Sequence, residues 1–409
     1  MFAIALAWVG SAATATVQQC FYRLQERGGP PRRGLAANFT YEQTGSAIRF
    51  AGTNFEITDN DVYASGHGIY LQYAESGIVA RNVVNYGMDG YMLDSSSNIV
   101  FEENHFMGIN LFSRGNAGGA TYGGPASSYI WYSKNTVKFV FGGDQEIMTL
   151  DGGSSPYFGK VSLSNDGMKM TFPVAPKYDQ WCSSPNRCQT VNTNWNGSAA
   201  YVLSGQGKGQ LRVFAAGGIK QNRTWTLKTP FGGVGGGVPL GVDSVISVFE
   251  HREKCIYRDN SFEDGGPFQL YGGMYHAVIA NNTAARTDGF IVEGLNHESK
   301  PGGFPHLIPC FFVEHVDNSV VEGNNYAGTA SGGFALSGFY NGSSPYYTGP
   351  MATAVTYRGN LVDNGEWTVS GAVADVLIEG NSMLDSDGAL VIRTPNQTSR
   401  LFARNNQGL

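Results

Sequence analysis

Charge, cysteine and long apolar runs are all scarce in this chain. Only 15% of its 409 residues are charged, with 27 Lys+Arg against 33 Asp+Glu and a net charge of −6. No basic stripe is present, which argues against nucleic acid as a partner. No apolar run approaches the ~18 residues that a membrane-spanning helix needs. There are five cysteines. None forms a Cys-x-x-Cys pair and no histidines cluster, so zinc spacing is missing. Cys182 and Cys188 flank a five-residue loop and are candidates for a small disulfide. Cys20, Cys255 and Cys310 fall in or beside apolar segments, as buried thiols do. Helical stripes are missing as well.

What the chain has is a repeat. Ten copies of a seven-residue pattern end in asparagine, from Asn54-Phe-Glu-Ile-Thr-Asp-Asn60 through Ser76-Gly-Ile-Val-Ala-Arg-Asn82 and Asn98-Ile-Val-Phe-Glu-Glu-Asn104 to Ser399-Arg-Leu-Phe-Ala-Arg-Asn405. The fourth position is always apolar, as in Ile57, Val79, Phe101, Tyr132, Tyr257 and Phe402. The closing asparagines at 60, 82 and 104 are 22 residues apart. A fixed period in this range marks a stacked repeat whose units cannot bury their apolar faces alone.

Each unit is made of strands. Gly68-Ile-Tyr-Leu-Gln72, Gly90-Tyr-Met-Leu-Asp94 and Gly289-Phe-Ile-Val-Glu293 alternate at period two. The heptad supplies a second strand and the residues after its asparagine a third. Three strands in about 22 residues make one coil of a parallel β-helix. A leucine-rich repeat of that length would show Leu-x-x-Leu-x-Leu, which is missing. Asparagine suits a corner because it tolerates left-handed backbone. Stacked asparagines can also bond amide to amide. The Asn-ended coils resemble the pectin-lyase-like superfamily over roughly residues 14–135 and 245–409. That resemblance implies an all-β fold, a single-stranded right-handed parallel β-helix. It leaves polysaccharide lyases, glycoside hydrolases, epimerases, tailspikes and adhesins open, because a fold does not fix a function.

The ends and gaps carry further expectations. Met1 to Val9 followed by small residues resembles a signal peptide without its basic region. Thr14-Ala-Thr-Val-Gln-Gln-Cys20 fits the heptad better, with Val17 apolar and Cys20 in place of asparagine, so the chain is expected to start inside the solenoid. Sequons at Asn38, Asn196, Asn222, Asn281, Asn341 and Asn396 favour secretion. The 125 residues between Asn135 and Asn260 break the repeat. Lys160 to Phe172 reads as a hairpin, further strands follow, and Phe231 to Gly241 reads as a glycine-rich linker. The expected organisation is N-terminal coils over 1–156, an inserted β-rich domain over 157–240, and C-terminal coils over 241–409. Insertions in solenoids gather on one face, often the binding face. Later insertions bring Phe304, Tyr340, Tyr346 and Tyr347, which with Trp131 are candidates for stacking on sugars.

Carboxylates are densest at Gly142 to Gly153, where Asp144, Glu146 and Asp151 lie. Glu146 and Asp151 fall on opposite strand faces, so a bend is needed for them to cooperate. Glu250 aligns in one column with Gln72, Asp94 and Glu314, at a strand end. Glu146, Asp151 and Glu250 are the catalytic candidates, because coils ~4.8 Å apart can place carboxylates at glycosidase spacing. Asp144, Asp94, Arg212, Glu314 and Tyr271 are candidates for binding the substrate, and His67 reads as a structural turn residue. The ordered motifs of polygalacturonases are missing, and no pectate-lyase set of acidic calcium ligands beside a basic residue assembles. No cofactor is therefore expected; calcium stays open, without a clear motif to support it. The reading is a secreted hydrolase or lyase acting on a polysaccharide. The alternative is a non-catalytic surface protein that binds glycan or assembles laterally. Oligomeric state stays open at this point.

Overall fold

A computed structural model describes residues 15–18, 21–24, 45–109, 113, 116–117, 127–142, 146–151, 157–176, 197–219, 223–233, 236–249, 252–271, 273–298, 311–314, 316–317, 319–327, 333–341, 349–384, 390–393 and 398–408. One coil shows how the repeat is built. Tyr91–Asp94, Ser97–Glu102 and His105–Gly108 are its three strands. Each pairs in parallel with the same strand of the coil before it: Ile69 faces Tyr91, Val79 faces Phe101, and Val83 faces His105. Repeated along the chain, this gives a 24-stranded sheet holding the first and second faces and a 10-stranded sheet forming the third. The first two merge because strands such as His67–Ala80 run unbroken around the corner between them. The N-terminal segment behaves as the heptad predicted, with Ala15–Gln18 pairing Phe55 to Thr58 and Val17 opposite Ile57.

Alternation decides what lies inside. The fourth heptad residues Ile57, Val79, Phe101, Tyr132, Tyr257, Ile279, Val321, Tyr357 and Ile378 are buried in one continuous core. Coil stacking places rings over rings: Phe101 and Tyr132 centroids are 5.7 Å apart, and Tyr132 and Tyr257 are 5.6 Å apart. A second file runs Phe268, Phe290, Phe334 and Trp367 at 5.8, 5.3 and 4.9 Å. These separations fall in the favourable range for aromatic pairs. Cys255 is a buried free thiol in this core, as expected. Cys20, Cys182, Cys188 and Cys310 lie outside the described residues.

The asparagines form a ladder. Asn60 Nδ2 donates to Asn82 Oδ1 at 2.7 Å, Asn82 to Asn104 at 2.8 Å, and Asn104 to Asn135 at 2.9 Å. The ladder passes straight from Asn135 to Asn260, 125 residues later, at 3.2 Å. The intervening segment is therefore an excursion from one coil. Two expectations need correction. The left-handed residue of the corner is the one before each asparagine: Asp59, Arg81, Glu103, Lys134 and Asp259 have φ of 54 to 57°. The asparagines are kept for their amides, since each must donate and accept at once in a dry bend. The last heptad also slips by one. Asn406, not Asn405, accepts from Asn381 at 2.9 Å, and Ala403 faces Ile378. Phe402, expected inside, is 61% exposed.

The excursion builds a seven-stranded antiparallel sheet. Its order is Tyr157–Gly159, Val245–Phe249, Ala199–Ser204, Leu211–Ile219, Thr224–Leu227, Lys169–Thr171 and Ser162–Leu163. The hairpin around Asn165-Asp166-Gly167 forms as read, with Leu163 opposite Met170. Val245–Phe249, read as the return of the solenoid, instead sits between Tyr157–Gly159 and Ala199–Ser204. Coil pairing resumes at Arg252–Glu253. Met170, Phe172, Phe214 and Trp225 form this sheet's own core. Its other face packs Tyr201, Leu203, Val245 and Phe249 against Met351 and Ala372 of the coils.

The segment read as a glycine linker is a stapled loop. Arg212 donates to Pro230 O at 2.9 Å and to Gly236 O at 2.6 Å, and its guanidinium lies 5.0 Å from the Phe231 ring. Gln210 Nε2 reaches Val238 O at 2.7 Å. Arg212→Ala should therefore make the Gly232–Gly237 loop the fastest site of limited proteolysis and destabilise this sheet by ~1–3 kcal/mol. Unchanged cleavage in that variant would show that the staple is redundant.

Candidate functional site

Strand pairing on the first face defines one file at the strand ends. Gln72 pairs with Asp94, Asp151 with Tyr271, Tyr271 with Glu293, Glu293 with Ser337, and Ser337 with Ser370. Three of the sequence candidates, Asp94, Asp151 and Tyr271, thus share a file. Glu293 joins them. It occupies the same last position of a Gly-x-x-x-Gln/Asp/Glu strand as Gln72 and Asp94, so the signal was present in the alternation. Asp151 and Glu293 are two coils apart, roughly 9–10 Å between backbones.

The chemistry along the file is uneven. Asp94 is 6% exposed, and its Oδ2 accepts from Gln72 Nε2 at 2.9 Å and Tyr70 OH at 3.2 Å. Arg49 donates to Gln72 Oε1 at 2.7 Å and lies 4.9 Å over the Tyr70 ring. Burial, reinforced by the Asp94 carboxylate, pushes the Tyr70 hydroxyl up to about 12, so it remains a donor. His67 is not at an exposed turn: its Nδ1 lies 2.6 Å from Asp89 Oδ2, and its side chain is largely buried. Glu293 is different. Burial alone pushes its carboxyl up to about 7, so near neutrality a large share of it still carries a proton.

The antiparallel sheet borders this file. Beyond Glu293, Ser337 and Ser370 run Gly294, Gly338 and Gly371, in register. A Cβ at Gly294 would stand 2.1 Å from Met351 O, and one at Gly338 would stand 2.2 Å from Ala372 O. Glycine is required there because the backbone bearing Met351 and Ala372 passes directly over it. Those two residues are the ones on which the antiparallel sheet docks. The result is a polar file with a wall along one edge.

The remaining candidates fall elsewhere. Glu146 lies half-buried two residues before Met148–Asp151 and five residues before Asp151. No bend brings the two together within that strand. Glu314 is not in the expected column. Its strand, Phe311–Glu314, runs antiparallel to the extension of the Glu293 strand, with Glu314 opposite Leu295. Arg212 spends four of its five N–H donors within the antiparallel sheet, on Pro230, Gly236, Leu211 and Gln210. Trp131 sits on the second face, away from the file. Asp144, Glu250, Phe304, Tyr346 and Tyr347 lie outside the described residues, as do the side chains of Asp151, Tyr271 and Tyr340. Among the described residues no group of three His, Cys, Asp or Glu side chains is placed to hold a metal ion. No helix among them is long and apolar enough to cross a membrane.

A family model agrees at the level of fold. Residues 32–139 match the family model described as a right handed beta helix region. Among curated proteins, none matches the chain in sequence. Among solved structures, it is similar to a mutant tailspike protein of E. coli bacteriophage HK620 in complex with a hexasaccharide, at 10% identity and a TM-score of 0.35, over 98% of this chain and 59% of that one. It is also similar to the catalytic domain of a GH87 α-1,3-glucanase in complex with tetrasaccharides, at 8% identity and a TM-score of 0.28, over 97% of this chain and 63% of that one. The chain thus spans about three fifths of each of those structures. Three strands per coil, parallel in-register stacking and an unbroken asparagine ladder lead to one statement of kind: this chain is a right-handed parallel β-helix.

Proposed function

We propose that this chain binds a glycan along the first-face file and cleaves it by hydrolysis, with Glu293 as the proton donor. The observation that carries this reading is the burial of Glu293, which keeps part of this carboxylic acid protonated near pH 7 in the same file as Asp151. A general acid works best when its pKa lies near the working pH. Asp151, two coils away, is the base that would activate water. A separation of roughly 6.5–9.5 Å between carboxyl groups leaves room for that water and gives inversion at the anomeric carbon. Tyr271 lies between them in the file and is the position for a ring to stack against a sugar.

The same file argues for a neutral glycan. Asp94 and Asp151 make it acidic, and an acidic groove repels a polymer of uronates or sulfates. Arg49, at one end of the file, is engaged with Gln72 and Tyr70. Such a polymer is met outside the cell, where the sequons also belong. No cofactor enters this reading.

The test is a screen of neutral and acidic polysaccharides read by new reducing ends and by the ultraviolet absorbance of unsaturated uronates. Reducing ends from a neutral glycan, lost in Glu293→Gln, support the reading. Unsaturated uronates from an acidic one replace it with a lyase. Binding without cleavage on any of them leaves the non-catalytic binder.

A further inference from the structure

The second face carries a feature that glycan chemistry does not use. Its third heptad residues point outward and form one file by strict pairing. Ile78 pairs with Val100, Val100 with Trp131, and Trp131 with Ile256. Val278 follows, then Val320 and Thr356, and the file ends at Leu377 and Phe402. Glu56 pairs with Ile78 and bounds the file at that end, and from Ile78 on every member but Thr356 is apolar. Ile78 is 42% exposed, Trp131 37% and Phe402 61%. Scattered exposed apolar residues are ordinary, but a continuous file on a flat sheet is not.

The border of this file calls for no charged partner. Lys134 pairs with Glu102 at 3.2 Å, Arg404 with Glu379 at 2.8 Å, and Arg358 with Glu322. Each pair joins neighbouring coils of the same chain. Trp131 is held against the sheet by its bond to Ser133 Oγ at 2.9 Å, with Arg258 5.8 Å from its ring. The surface therefore offers area and shape, and the complement with the same apolar character is a second copy of itself. Nine coils at ~4.8 Å give a stripe roughly 38 Å long, and five strand residues at ~3.3 Å give a width of roughly 16 Å. That is about 600 Å² per copy, or about 1,200 Å² in all, at the lower end of stable interfaces.

We propose that the second face is a self-association surface on which two copies pack antiparallel, centred on Val278. A two-fold contact is isologous, so each residue meets a counterpart fixed by the symmetry. The antiparallel arrangement places Trp131, the largest residue of the file, opposite Thr356, its polar exception. It also places Ile78 opposite Phe402. A parallel arrangement would set Trp131 on Trp131 and Thr356 on Thr356, giving a clash and a gap.

The experiment is sedimentation of the full chain over a range of micromolar concentrations, together with cysteine cross-linking. The wild type is expected to be a dimer, and Val278→Glu with Leu377→Lys should make it a monomer with unchanged circular dichroism. A wild-type monomer, a trimer or larger assembly, or a double variant that stays dimeric would each overturn the proposal. Should the double variant misfold, cross-linking decides. Val278→Cys should form a reducible dimer with itself. Phe402→Cys should cross-link to Ile78→Cys and not to itself; self-linked Phe402→Cys would overturn the antiparallel arrangement.

Discussion

Glu293→Gln should lower turnover of the cleaved glycan by roughly 10²–10⁴-fold while leaving binding of the polymer nearly intact. The amide keeps the shape and loses only the proton that the leaving oxygen needs. In the wild type, activity should fall as pH rises through about 7, where Glu293 gives up that proton. Stability should follow the same group. The native state holds this proton far more tightly than the unfolded chain, whose glutamate titrates at the ordinary 4.5. The folded form is therefore uncompromised below about 4.5 and loses stability as pH rises towards 7, by on the order of 2–3 kcal/mol. This is the reverse of the behaviour of a salt-bridged carboxylate. In Glu293→Gln that pH-dependent loss should disappear, so the variant should melt above the wild type at alkaline pH and with it in mild acid. Full activity in the variant would remove Glu293 from the chemistry. An unchanged pH dependence of melting would mean that the carboxyl is not held protonated by burial.

Asn104→Leu should destabilise the protein by ~3–6 kcal/mol, measured by chemical denaturation. A single corner hydrogen bond would give ~1–3 kcal/mol. Asn104 does more. Its Oδ1 accepts from Asn82 N at 3.1 Å and Asn82 Nδ2 at 2.8 Å, and its Nδ2 donates to Val79 O at 2.9 Å and to Asn135 Oδ1 at 2.9 Å. The residue is fully buried, so leucine strands two donors and an acceptor on the preceding coil and an acceptor on the following one, with no water to replace it. Asp59, Arg81 and Glu103 supply the left-handed turns, so changing them to glycine should cost far less. A loss of about 1 kcal/mol for Asn104→Leu would mean that the ladder relaxes around the gap.

The repeat was legible because its information is local. Seven residues state which side chains point inward and where the amide stands, and every coil states it again. That fixed the three-strand coil, the buried fourth column and the asparagine ladder across a 125-residue gap. The slip of the last heptad comes from two adjacent asparagines at 405 and 406, between which only stacking on Asn381 can choose. The antiparallel sheet was half legible. Its hairpin follows from Asn-Asp-Gly, but Val245–Phe249 has the same apolar character as a coil strand, and only its partners assign it to the antiparallel sheet.

The site was the least legible part, for the same physical reason. Glu146 and Asp151 are close in sequence but only Asp151 is on the strand of the file, while Asp151 and Glu293 are far apart in sequence and two coils apart in space. Neither fact is local: which coils become neighbours depends on where each insertion closes, and the partner strands record this. The protonation of Glu293 is less local still, because burial of a carboxyl is a sum over atoms from other coils. The sequence by itself determined a parallel solenoid with asparagine corners, because its rule repeats within every coil. The tertiary structure alone decided which carboxylates share a surface and which of them keeps its proton, because stacking register and desolvation arise only when the coils meet.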